Sequence, residues 1–73
     1  MGKMKAALMS YQIAIDIDKG STGAHDGQAR TFLELGRFEE ALESFRRVVD
    51  LSPDNAEAYL SMGVTLSNLG REQ

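Results

Sequence analysis

The chain has 73 residues, and eight Lys and Arg against eleven Asp and Glu leave a formal net charge of −3. That acidity argues against a nucleic-acid binder, which needs a basic footprint. The absence of cysteine removes any disulfide framework, thiolate metal site or cysteine nucleophile.

At 42% hydrophobic and 26% charged, the composition is that of a folded protein, and the length suits one small domain over residues 1–73. A domain of this size buries only about 60% of its unfolded surface, so its core is marginal. No apolar run approaches the ~20 residues that span a bilayer, so no membrane role is expected. Lys3 and Lys5 lead into an amphipathic segment with no signal-like apolar block. A cytoplasmic setting is the expectation.

Four helices are predicted. In the first, over 3–18, Met4, Ala7, Leu8, Tyr11, Ala14 and Ile15 recur at three- and four-residue intervals and share a stripe. Lys19-Gly20-Ser21-Thr22-Gly23 breaks it. The second, over 24–35, carries Ala29, Phe32, Leu33 and Leu35 near its end. Gly23 and Gly27 each cost about 1 kcal/mol against Ala, so a late or fraying start is expected, capped by Thr22 or Asp26. Gly36 stops it.

The third helix, over 38–51, has the clearest stripe: Phe38, Ala41, Leu42, Phe45, Val48 and Val49. Its acids come early and Arg46 and Arg47 late, as the helix dipole prefers. Pro53 pushes Ser52 out of the α region and ends it. The fourth runs over 55–69 from an Asp54 or Asn55 cap, with Tyr59, Met62, Gly63, Leu66 and Leu69 on one face and Gly70 as its stop. No strand-like alternation persists, so the fold class is all-α.

Sliding the chain by 34 residues aligns like with like. Gly2 falls on Gly36 and then Gly70, and Lys3 on Arg37 and then Arg71. Ala7, Leu8, Ser10, Tyr11 and Ile15 fall on Ala41, Leu42, Ser44, Phe45 and Val49. Ala29, Phe32 and Leu35 fall on Gly63, Leu66 and Leu69. Leu35-Gly36-Arg37-Phe38-Glu39-Glu40-Ala41-Leu42, followed by Phe45 and Pro53, resembles the tetratricopeptide repeat (TPR). Ala58-Tyr59 with Met62-Gly63, Leu66 and Leu69-Gly70 extends the likeness. It covers nearly the whole chain in a shifted frame: the second helix of one repeat, one whole repeat, and the first helix of a third. His25, Gln28 and Lys19 depart from the pattern, standing where an aromatic, a Leu and the turn Pro are usual. The resemblance implies antiparallel helix hairpins of an α-solenoid. In it, small Ala41 and Gly63 would allow close helix approach, and Phe38 and Phe45 would fill the gaps.

The residues that invite a chemical reading have plainer ones. His25 beside Asp26 suggests a base and its orienter, but sequence neighbours point to different helix faces and no nucleophile accompanies them. Asp16-Ile17-Asp18-Lys19-Gly20 begins like a calcium loop, yet Ser21 and Gly27 occupy its sixth and twelfth places. Gly20-Ser21-Thr22-Gly23 lacks the preceding strand and Lys of a phosphate loop. Arg46-Arg47 and Lys3/Lys5 sit among acids and read as solvated faces. No cofactor, no metal and no enzyme activity is expected.

The resemblance implies a concave groove, lined by the first helices of the repeats, that binds an extended or helical segment of a protein partner. It selects Asp26, Arg30, Leu33 and Glu34 from the second helix, and Glu57, Leu60, Ser61, Val64, Ser67 and Asn68 from the fourth. Arg30 is expected to pair a partner carboxylate, Asn68 to hold peptide backbone, and Leu33, Leu60 and Val64 to give apolar contact. Only Arg30 and Asn68 resemble the carboxylate clamp by which some TPRs grip acidic chaperone tails, which argues against that ligand. Two alternatives stand beside this reading: a self-associating unit whose terminal helices pair between copies, and a docking segment of a larger enzyme.

Overall fold

The computed structural model describes residues 2–72, which form four helices: α1 (Gly2–Ile17), α2 (Thr22–Glu34), α3 (Phe38–Leu51) and α4 (Ala56–Glu72). Short turns at 18–21, 35–37 and 52–55 make successive helices antiparallel neighbours. The main contacts run α1 to α2, α2 to α3 and α3 to α4. This zigzag sets α2 and α4 on one side and α1 and α3 on the other, in a plate with Cα extents of 35 × 32 × 15 Å. The described residues contain no strand.

The core is one side chain deep. Ala29, Ala41 and Phe45 are fully buried, and Phe32, Leu33 and Met62 pack around them. Val48, Ala58 and Thr65 extend the buried row. Thr65 is tolerated there because its hydroxyl donates to the Ser61 carbonyl at 2.7 Å. One repeat earlier, Thr31 makes the same bond to Gly27 at 2.8 Å.

Three local expectations are corrected. The α2 start is neither late nor capped by Thr22 or Asp26. Ser21 is the N-cap, its hydroxyl accepting from the Ala24 N–H at 3.3 Å, so the first turn is formed from Thr22. Gly70 does not end α4, which continues to Glu72. A glycine stops a helix when the chain turns there, as Gly36 does with φ 76°, and among the described residues no residue but glycine takes a positive φ. Close helix approach occurs at Gly27 rather than Gly63. A Cβ on Gly27 would collide with the Tyr11 ring of α1, whereas one on Gly63 would meet nothing within 4 Å.

The other punctuation agrees with the spacing. Asn55 caps α4 by accepting from Ala58 N–H at 3.1 Å. The Ser52 N–H closes α3 on the Val48 carbonyl at 2.8 Å, just before Pro53. Two of the departures, Gln28 and His25, have a use in the fold. Gln28 lies between helices, donating to Gln12 of α1 at 3.2 Å and accepting from Ser44 of α3 at 3.4 Å. Lys19 offers its carbonyl to His25 Nε2 at 3.1 Å, which makes Nε2 the protonated ring nitrogen of the buried imidazole.

Candidate functional site

Helices α2 and α4 lie side by side with a groove between them. Arg30, Leu33 and Glu34 line it from α2, and Glu57, Leu60 and Ser61 from α4, around a volume of about 400 Å³. The helical period explains the grouping. Residues three and four apart stack on one face, so each helix turns one stripe to the core and the adjoining stripe to the groove. Leu33 serves both, being half-buried against the core cluster and present in the groove wall. Leu60 is 71% exposed, an apolar side chain held out to solvent.

Arg30 ties the two walls together. Its Nε stands 2.9 Å from Asp26 Oδ2 one turn earlier, and its Nη2 stands 3.3 Å from Glu57 Oε2 across the groove. The guanidinium is thus engaged by two carboxylates of its own chain, and a partner carboxylate must displace one of them to reach it. With Asp26, Glu34 and Glu57 set against Arg30 alone, the groove presents negative charge. Exposed pairs of this kind contribute about 0–1 kcal/mol each to stability.

The remaining residues of the expected site follow along α4. Val64 is 53% exposed one turn beyond Leu60. Ser67 is exposed and Asn68 half-buried a turn further on. They share the side of α4 that carries Glu57, Leu60 and Ser61, but the groove walls end at Ser61. A second cavity, of about 380 Å³, was not anticipated. Gly2, Lys5 and Leu8 of α1 and Leu35 and Arg37 of the α2–α3 turn line it. Its apolar residues, Leu8 and Leu35, carry no sequence signal that separates a cavity wall from a core position.

The chemical readings weighed on sequence resolve into local structure. His25 is 3% exposed, with Nε2 on the Lys19 carbonyl. Asp18 accepts from Gly20 N–H at 3.0 Å and closes the turn after α1. Ser21 caps α2. Arg47 reaches Glu43 at 3.4 Å on its own helix. Among the described residues no three His, Cys, Asp or Glu stand close enough to hold a metal ion, and no helix is long and apolar enough to cross a membrane.

Comparison with known proteins adds the family context. The TPR repeat family model matches residues 29–70, more than half of the chain. The chain is 36% identical over 53 residues to serine/threonine-protein phosphatase T of Trypanosoma brucei brucei, covering 73% of this chain and 11% of that protein. It is 31% identical over 64 residues to the protein CTR9 homolog of Arabidopsis thaliana, covering 86% of this chain and 6% of that protein. The chain therefore spans only a small part of the length of these relatives.

Proposed function

Because the chain belongs to the TPR family, we propose that it is a protein-docking module that holds a partner segment in the α2/α4 groove without a chemical step. The observation that carries this reading is the convergence of Arg30, Leu33, Glu34, Glu57, Leu60 and Ser61 on one open groove. Leu33, Leu60 and Val64 bury apolar side chains of the partner. Ser61, Ser67 and Asn68 offer hydrogen bonds to its backbone. Asp26 and Glu57 hold Arg30, and together with Glu34 they make the groove acidic, so the segment it suits carries Lys or Arg between its apolar residues. At about 400 Å³ the groove lies toward the small end of binding pockets, ~300–1,000 Å³, so it accepts a few side chains rather than a folded surface. The matched relatives are far longer, and in a protein of that size the groove serves as a docking segment beside other domains. We place the module in the cytoplasm, since oxidising compartments favour small domains stapled by disulfides and this chain has no cysteine.

The test is an NMR titration with two peptides of equal length, one alternating Leu with Lys and the other Leu with Glu. The basic peptide is expected to shift the amides of Leu33, Leu60 and Val64 and the acidic one to leave them in place. Leu60→Asp weakens binding by removing the exposed apolar contact. Identical response to both peptides, or shifts confined to α1, overturns the proposal.

A further inference from the structure

Arg30 is held by its own chain in a way that describes a ligand. Its Nε stands 2.9 Å from Asp26 Oδ2 and its Nη2 3.3 Å from Glu57 Oε2, so one edge of the guanidinium is shared between a carboxylate of α2 and a carboxylate of α4. Neither contact is a core one. The Arg30 and Glu57 side chains are 55% and 80% exposed, and only that of Asp26, at 28%, is mostly covered. Exposed ion pairs are weak, so another cation can compete for either carboxylate. The arrangement is local to this place in the groove. One repeat later Asp26 and Arg30 fall on Leu60 and Val64, both apolar and exposed, so the register repeats the helix and not the ion pair.

We propose that Asp26 and Glu57 form a guanidinium seat, filled by Arg30 in the free protein and surrendered to an arginine of the partner segment. The inference rests on the docking function proposed for the α2/α4 groove and names the side chain that this groove selects. Arg30 is a stand-in for that side chain and competes with it. Arginine fits the seat better than lysine does. A planar fork sets two N–H donors side by side on two acceptors, whereas an ammonium is a compact, more strongly hydrated charge. Arg30 already has half its side chain in solvent, so it can turn outward by changing rotamer.

The rest of the segment follows from the order of residues on α4. Glu57, Leu60 and Val64 lie along one side of the helix, about 4.5 Å and then about 6 Å apart along its axis. Alternate side chains of an extended strand lie ~6.6 Å apart on one face. The segment therefore carries apolar residues two and four places from its arginine, set on Leu60 and Val64, with Leu33 of α2 across the groove from the first. These apolar contacts let a partner arginine take the seat from one tethered beside it. An arginine without them gains too little to displace Arg30, whose tether keeps it at high effective concentration.

NMR titration of the full chain tests this, with peptides that carry leucines two and four places before or after a single arginine. The amides of Leu33, Leu60 and Val64 give the affinities, and the same peptides with lysine or citrulline for arginine are the controls. The wild type is expected to bind the arginine peptide tightest. Arg30→Gln empties the seat and is expected to tighten that binding by about two- to tenfold. Arg30→Lys keeps the charge but ends in one nitrogen, and is expected to tighten it as well. Glu57→Gln weakens it. Arg30 and Glu57 are exposed, so these changes leave the fold intact, which far-UV circular dichroism verifies. An Arg30→Gln variant that binds the arginine peptide no better than the wild type overturns the inference and leaves the docking function standing. So does an Arg30→Lys variant indistinguishable from the wild type, which makes the charge of Arg30, and not the seat it fills, the cause. So does equal affinity for the arginine peptide and either control. Peptides that move none of these amides in any of the chains remove the docking function itself, and the inference with it.

Discussion

Replacing Gly27 by Ala sets local preference against packing, and the outcome distinguishes them by sign. On helix propensity alone the change stabilises α2 by about 1 kcal/mol. The new Cβ, however, falls within collision distance of Tyr11 Cε1 and Cζ and 2.8 Å from its hydroxyl oxygen. Forcing one extra methyl into an occupied contact costs about 1–3 kcal/mol. The balance is a net loss of about 0–2 kcal/mol in the wild-type background. With Tyr11→Ala the ring is gone, and the same Gly27→Ala change should add its full ~1 kcal/mol. Urea unfolding followed by far-UV circular dichroism, at a concentration where the chain is monomeric, gives all four corners of the cycle. The expected coupling between the sites is about 1–3 kcal/mol. If Gly27→Ala stabilises the wild type as much as it stabilises Tyr11→Ala, the ring does not lie on Gly27 and the α1–α2 packing described above is wrong.

Phe45→Ala should be the most damaging single truncation. A fully buried Phe costs about 3–5 kcal/mol on truncation, against a total of ~4–11 kcal/mol for a chain of this length, and an unchanged urea midpoint would contradict its central place. Gly36→Ala should lower stability by about 1–2 kcal/mol because of the positive φ, with Gly36→Asn in between; equal midpoints for all three would show that the turn relaxes to another conformation. Ser21→Ala should cost about 1 kcal/mol and speed hydrogen exchange at Ala24 while leaving α3 unaffected. Exchange unchanged at Ala24 would mean that Ser21 is not the cap.

Legibility followed the range of the forces involved. Helix α3 could be read closely because its apolar spacing, its Pro53 stop and its early acids are all local. The 34-residue register carried the fold class, since a repeat states the same packing rule more than once. The start of α2 was misjudged because two local signals, Gly23 and Gly27, oppose helix, while the decisive ones lie elsewhere. Ser21 caps from outside the predicted segment, and Gly27 makes room for a ring supplied by α1. Gly70 was misread for a related reason: a glycine marks a stop only where the chain must turn. In the groove, helical spacing was enough to group residues by face. It could not reveal that Arg30 is held between Asp26 and Glu57, since that depends on the distance from α2 to α4.

The zigzag order of contacts also sets how the chain comes apart. Helices α2 and α3 are each flanked on two sides, whereas α1 and α4 each rest mainly on one neighbour. Loss of an outer helix removes one seam and leaves the central hairpin whole, so opening should proceed inward from both ends instead of in a single step. The slowest-exchanging amides should therefore belong to the turns of α2 and α3 around Ala29 and Phe45. A ligand bridging α2 and α4 would act as a splint, slowing the departure of α4 while leaving that of α1 unchanged.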